Sequence, residues 1–249
     1  MDFESAGERK YIRRLRVHGP RTVRHWPFTA AWHNVRWKAG TYDQFNWSHR
    51  RRALLAVARY CELNGLTNGY YFEFGCYLAR TFRMAYDAFS HLYDFTYVAF
   101  DSFEGLPEVE GIDVHGGLWY RGKMRTSEES FVRMCREHGL PMNKLRTVKG
   151  FYKDSLTTAL RDELAPLKAA VVYIDCDLYA STVPVLGFVR DFLQPGTVLI
   201  FDDWFLFYGE PDRGERRAFR EFCAANPKAR FEPFFSNHEL QAFIYLGQS

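Results

Sequence analysis

Four short apolar runs in this chain each end at an acid, and helix-like segments separate them. Gly69-Tyr70-Tyr71-Phe72-Glu73-Phe74-Gly75 reads as a strand running into a glycine turn, with Glu73 at its end. Phe95 to Phe100 stops at Asp101, Ala169 to Ile174 stops at Asp175, and Thr197 to Phe201 stops at Asp202-Asp203. Between them, Leu78 to Phe89 and Val183 to Leu193 read as helices, with Pro184 in the first turn of the second. Strands alternating with helices predict an α/β fold with a mostly parallel sheet covered on both faces. In such sheets ligands gather beyond the carboxyl ends of the strands, which is where this sequence repeatedly places carboxylates.

The remaining segments complete that outline. Ser48 opens a helix carrying Leu54, Val57, Ala58 and Cys61 at i, i+3, i+4 and i+7, closed by Asn64-Gly65. Thr126-Ser127-Glu128-Glu129 has the form of a capping box and predicts a helix to about His138. Leu145 to Val148 is a short strand, and Gly214 to Ala225 a charged helix. Phe231 to Phe235 and Gln241 to Leu246 predict a closing antiparallel hairpin. The glycine-rich stretch 103–125 has no clear period and is long enough to be read as a lid.

Composition narrows the class. Of 249 residues, 47% are apolar and 25% charged, which excludes a disordered chain. The net charge of +3 conceals a basic arm: residues 1–52 hold twelve Lys/Arg against four Asp/Glu, +8, leaving −5 for the rest. With the helix that opens at Ser48, that division sets a basic N-terminal arm and cap segment over 1–47 apart from a domain over 48–249. Arg13, Arg14, Arg16, Arg21, Arg24 and His25 form a surface able to meet phosphates, so a nucleic-acid-binding protein or an RNA methyltransferase is a rival reading. No RNA-reading motif accompanies the arm, and nucleic acid is not the expected partner. Cys61, Cys76, Cys135, Cys176 and Cys223 contain no C-x-x-C pair and are read as reduced. No run approaches the roughly 18 apolar residues of a membrane span, and the acidic start lacks a signal-peptide layout, so a cytoplasmic protein is expected. A homo-oligomer is expected as well.

Two constellations carry chemistry. The turn Glu73-Phe74-Gly75-Cys76 has one glycine of the three in G-x-G-x-x-G, which disfavours a dinucleotide and fits a phosphate-free cofactor such as S-adenosylmethionine. Asp101 is then placed to accept hydrogen bonds from ribose hydroxyls. Asp175, Asp202 and Asp203 converge if their two strands are neighbours. Three carboxylates so close repel unless a cation sits among them, and all-oxygen ligation suits Mg²⁺, with Ca²⁺ or Mn²⁺ as alternatives. The competing reading makes these aspartates caps of the following loops. Asp177 returns to the same side as Asp175 and can take a proton from a substrate hydroxyl. His115 and His238 are read as ordinary loop residues, with a substrate contact as the alternative.

These segments together resemble the macrocin O-methyltransferase family, metal-dependent class I S-adenosylmethionine enzymes that methylate sugar hydroxyls in bacterial natural products. The resemblance runs from about Ser48 to the C-terminus. It is carried by F-E-F-G-C-Y (72–77), F-D-S-F-E-G-L-P (100–107), K-G-F-Y-K-D-S-L (149–156), Y-I-D-C-D-L-Y-A-S-T (173–182), F-D-D-W (201–204) and G-E-R-R-A-F (214–219). It implies a class I methyltransferase Rossmann-like fold, a seven-stranded sheet with the C-terminal hairpin antiparallel. It implies a metal held by Asp175, Asp202 and Asp203, with Asp177 as general base. It also implies cofactor contacts from Glu73, Gly75, Asp101 and Ser102, and adenine contacts around Gly150 and Phe151. The acceptor would be a small-molecule hydroxyl, and the 103–125 loop and N-terminal arm would border it. The chain departs from the family pattern at Ala79, more often glycine, and at Ala180, near which an acid is usual. Catechol O-methyltransferases are similar in outline, but they usually carry Asp-Asn where this chain has Asp202-Asp203.

Overall fold

The computed structural model of the protein describes residues 43–249. The basic arm and its arginines lie outside the described residues. Leu54–Ser249 forms one compact unit, from which everything below is built.

Helix α1 (Asp43–Asn64) buries Leu54, Val57, Ala58 and Cys61, the stripe its spacing predicts, and begins five residues before Ser48. Seven strands follow: β1 (Asn68–Phe74), β2 (Asp94–Asp101), β3 (Leu145–Lys149), β4 (Ala169–Ile174), β5 (Val198–Phe201), β6 (Ala229–Ser236) and β7 (Gln241–Gln248). They form one sheet in the order β3-β2-β1-β4-β5-β7-β6. The first five are parallel, while β7 runs antiparallel to β5 and to β6. This is the expected class I methyltransferase architecture, hairpin included.

Period-two alternation loads both faces of the sheet. Phe72, Phe74, Val98, Phe100, Val172, Ile174, Leu199 and Phe201 are all buried in one continuous cluster with Phe188 and Phe192. Phe74 and Phe100 stack at 4.3 Å between ring centroids on neighbouring strands. On the other side, Tyr71 and Tyr97 meet Phe82 of α2 (Arg80–Phe89), and Phe82 meets Phe131 of α3 (Glu128–Glu137). Each such ring removed from water is worth about 1.5–3 kcal/mol, so this aromatic packing contributes much of the stability.

Several helix boundaries differ from the sequence reading. The second helix starts at Arg80 because Ala79 takes a left-handed conformation (φ 56°). α3 is capped by Ser127, whose side chain accepts the Ser130 N–H, one residue later than the Thr126 box. Short helices α4 (Tyr152–Ser155) and α5 (Thr158–Leu164) occupy a stretch that shows no clear period. α6 (Tyr179–Val189) begins four residues before Val183, which places Pro184 in its second turn; the cause is a distant cap described below. α7 (Gly214–Ala225) has the predicted bounds. No helix among the described residues is long and apolar enough to cross a membrane.

Candidate active site

One row of the sheet sets the site. Phe100 pairs with Phe74, Phe74 with Ile174, and Ile174 with Phe201. The ladder runs one step further: Gly75 N–H donates to Phe100 O, Asp175 N–H to Phe74 O, Asp202 N–H to Ile174 O, and Gly150 N–H to Asp101 O, all at 2.8–3.0 Å. Asp101, Gly75, Asp175 and Asp202 therefore stand side by side at the carboxyl edge, as neighbouring strands require.

The turn after β1 is tight. Gly75 has φ 88°, and a Cβ there would stand 1.9 Å from the Asp175 carbonyl oxygen, so only glycine fits. Asp101 Oδ2 accepts the N–H groups of Cys76 (2.7 Å) and Tyr77 (3.2 Å), and Oδ1 accepts that of Phe103 (2.7 Å). Burial raises the Asp101 carboxyl above its ordinary value, and these N–H groups pull it back. A pyrophosphate would need those same N–H groups, which are instead committed to a carboxylate. Glu73 is buried on the same face as Tyr71, two residues away, and accepts the Tyr71 hydroxyl. Ser102 closes a turn of its own, donating to Gly105 O (2.7 Å) and accepting from Glu104 N–H (3.0 Å). Gly150 (φ 133°) leads into Phe151, which caps α4, and a Cβ on it would press Ser155 at 3.1 Å.

Beside this turn lie the acids of β4 and β5. Asp175, Asp177 and Asp203 bring carboxylate oxygens within 4.8 Å of one another. Asp202, next to them, is buried and accepts the hydroxyl of Tyr173 through Oδ1, and its charge acts on Asp177 and Glu215. The grouping thus differs from the expected trio, with Asp177 in the cluster where Asp202 was anticipated. Alternation alone sets Asp175 and Asp202 on the face of Tyr173, since Ile200 pairs with Tyr173; the turn that begins at Asp202 then brings Asp203 to Asp175, while Asp202 stays against the tyrosine. Asp177 itself adopts φ 59°, which turns its side chain into the cluster. Burial holds the Asp177 carboxyl well above its ordinary value, the charges of Asp175, Glu215 and Asp202 push the same way, and a hydrogen bond with Asp203 opposes them.

Three residues that the sequence reading passed over frame this cluster. Glu215, in the first turn of α7, is buried and accepts the N–H of Cys176 (3.3 Å) and of Asp203 (3.1 Å), tying together the loops after β4 and β5. Its carboxyl is also raised, first by burial and then by Asp203 and Asp202. An acid in a first helical turn reads as an ordinary dipole partner, which hid this role. Asp113 and Arg213, discussed below, join the glycine-rich loop to the same loops. That loop is closed on itself by Leu106 N–H to Lys123 O and Gly122 N–H to Leu106 O, both 2.9 Å. His115 packs edge-on against Phe207 and Tyr208, with centroids at 5.1 and 5.0 Å. His238 lies in the turn between β6 and β7, where Asn237 Oδ1 accepts the N–H groups of Glu239 and Leu240.

Comparison with known proteins agrees with this architecture. The solved structure of CalS11, described as a calicheamicin methyltransferase, superposes with a TM-score of 0.61 over 98% of this chain and 94% of that one, at 20% identity, a likeness of fold. Demethyldecarbamoylnovobiocin O-methyltransferase of Streptomyces niveus is 34% identical over 137 residues, covering 53% of this chain and 48% of the relative. The 8-demethyl-8-(2,3-dimethoxy-alpha-L-rhamnosyl)-tetracenomycin-C 4'-O-methyltransferase of Streptomyces olivaceus is 34% identical over 110 residues, 42% of this chain and 40% of that protein. The chain thus spans less than half the length of either curated relative. The family profile described as Macrocin-O-methyltransferase (TylF) matches residues 81–230, a span that holds Asp101, the whole acid cluster and Glu215. With the fold, the strand-end acids and that profile in agreement, this chain belongs to the macrocin O-methyltransferase family.

Proposed function

We propose that this chain is an S-adenosylmethionine-dependent O-methyltransferase that uses Mg²⁺ and acts on a hydroxyl of a small molecule, a sugar of a glycosylated natural product. The observation that carries this is the juxtaposition at one sheet edge of a phosphate-averse glycine turn and the cluster Asp175, Asp177 and Asp203.

The residues fit both groups. At the turn, the charge of Asp101 replaces free N–H donors, and Glu73 adds a second buried acid, which suits a cationic, phosphate-free cofactor. Glu73, Gly75, Asp101 and Ser102 would line it, with Gly150 and Phe151 beside the adenine. In the cluster, three carboxylates with nothing but oxygen donors match a hard divalent ion; Asp177 is raised first by burial and then by the charges of Asp175, Glu215 and Asp202, and such an ion would offset those charges. Asp175 and Asp203 would hold Mg²⁺, with Asp202 as third carboxylate, as the family resemblance implies.

When bound, S-adenosylmethionine offers an electrophilic methyl group and Mg²⁺ makes an acceptor hydroxyl more acidic. Asp177 takes the proton of that hydroxyl: it is buried, sits in the cluster, and its raised carboxyl value brings it nearer the range where a general base works. Glu215 holds the peptide groups on either side of the cluster at fixed spacing, so the acids keep their arrangement as protons and cations come and go. The 103–125 loop would border the acceptor and exclude water. A sugar acceptor is favoured because the Streptomyces olivaceus relative is named for a reaction on a rhamnosyl compound.

Transfer of a labelled methyl group from S-adenosylmethionine to demethyldecarbamoylnovobiocin, a rhamnosylated polyketide and catechol tests this. Labelling of a sugar hydroxyl that stops on chelation of divalent cations is expected. Chelator-insensitive transfer, or transfer confined to catechol, would contradict the metal or the acceptor class respectively.

A further inference from the structure

We propose that Asp113, far from the cluster in sequence, is a positioning residue for the cation site, and that the glycine-rich loop and the acid cluster behave as one coupled unit. The inference rests on reading Asp175 and Asp203, with Asp177 beside them as base, as that site. α6 has no cap of its own, since Leu178 stands at its N-cap position and offers no side-chain acceptor. Asp113 supplies the cap from the loop: Oδ1 accepts the N–H of Tyr179 (2.7 Å) and Oδ2 that of Ala180 (3.0 Å). Its side chain is buried against the start of the helix.

These two bonds end two and three residues from Asp177. The φ of 59° at Asp177 is a left-handed conformation that a non-glycine residue adopts where local contacts hold it. The enforcing contacts are visible on both sides. Upstream, Glu215 holds the Cys176 N–H, and Leu178 N–H turns back to Cys176 O at 2.6 Å. Downstream, Asp113 fixes Tyr179 and Ala180. Without the downstream anchor, the backbone at Asp177 relaxes, and the loop that begins at Asp175 no longer holds the Asp175 carboxylate against Asp203.

The loop is gripped from the other side too. Arg213 donates from Nε (2.9 Å) and Nη2 (2.6 Å) to Ile112 O and from Nη2 to Val114 O (2.5 Å), bracketing Asp113, while its guanidinium lies 4.4 Å from the Phe207 ring centroid. Arg213 directly precedes α7, which carries Glu215. Loop residues 112–114 are therefore stitched to both helix starts that frame the acids. Coupling of this kind is reciprocal: a cation that favours the clustered geometry of Asp177 also favours the bound loop.

The test uses the full chain with Mn²⁺ as probe, its affinity read by electron paramagnetic resonance, and S-adenosylhomocysteine affinity read by calorimetry. Asp113→Ala should weaken Mn²⁺ binding about 10- to 100-fold, with S-adenosylhomocysteine affinity within about twofold of the unaltered chain's. Asp113→Asn, which keeps an acceptor oxygen, should fall between the two. Hydrogen exchange in residues 109–118 and 178–182 should slow when Mn²⁺ is added to the unaltered chain and not when it is added to Asp113→Ala. Equal Mn²⁺ affinity in Asp113→Ala, or exchange in 109–118 indifferent to Mn²⁺, overturns the proposal. If Asp113→Ala loses S-adenosylhomocysteine binding through misfolding, the Mn²⁺ affinity of Asp113→Asn decides in its place. A chain that binds S-adenosylhomocysteine but never Mn²⁺ overturns the cation reading, and this proposal with it.

Discussion

Asp177 is the residue on which the proposed chemistry turns, because burial, then the charges of Asp175, Glu215 and Asp202, raise its carboxyl above its ordinary value. Asp177→Asn is expected to keep cofactor affinity and most Mg²⁺ affinity while turnover falls roughly 10²- to 10⁴-fold, the usual worth of a positioned base. Since the carboxyl must lose its proton to work, the rate of the unaltered enzyme should rise with pH through the raised value, and the variant should lack that limb. Loss of Mg²⁺ binding in Asp177→Asn would make Asp177 a ligand, as its place in the cluster with Asp175 and Asp203 permits. Gly75 is the second decisive residue: Gly75→Ala sets a Cβ against the Asp175 carbonyl at φ 88°. Backbone strain and overpacking together should cost at least about 2 kcal/mol, seen as a Tm lower by about 4 °C or more, with cofactor binding lost. Both residues were legible in the sequence, as the glycine of a strand-end turn and the second acid of Asp175-Cys176-Asp177. That Asp175 and Asp203 group with Asp177 while Asp202 accepts the Tyr173 hydroxyl was not, because it depends on the φ of Asp177 and on the turn after β5, and a spacing argument contains neither.

At the scale of elements, strands and long amphipathic helices were readable because each carries its own signal. The buried runs of β1, β2, β4 and β5 and the stripe of α1 announce themselves by period. Helix starts were less so, since a start can be imposed from outside the helix. α6 gains its extra first turn from Asp113, and Ala79 delays α2 by adopting a left-handed conformation. α4 and α5, of four and seven residues, are too short to show a period. The cap of α3 makes the distinction measurable. Ser127→Ala should destabilise by about 1 kcal/mol in chemical denaturation through loss of the Ser130 N–H acceptor. Thr126→Ala removes no cap bond, so an equal loss there would restore the Thr126 box and count against the observed one.

For the whole molecule, alternation of strand and helix makes β1 to β5 parallel, and parallel strands place their carboxyl-end acids on one edge. A fold that gathers buried carboxylates in this way has a pH signature. Asp177 and Glu215 have carboxyl values raised in the folded chain, first by burial and then by neighbouring acids, so the ion-free native state holds more protons than the unfolded chain. The stability they contribute is complete below the ordinary carboxylate pKa and is lost as pH rises through the raised values. The Tm of the ion-free chain should therefore fall as pH rises through that window. The increase caused by saturating Mg²⁺, which replaces those protons, should widen over the same window. The measurement that bears most directly on a shared cofactor and cation edge is calorimetric titration of S-adenosylmethionine into the unaltered chain and into Gly75→Ala, each with and without Mg²⁺. Saturable binding of one molecule per chain, abolished by Gly75→Ala, is the expected result; absence of saturable binding to the unaltered chain, with or without Mg²⁺, would contradict it.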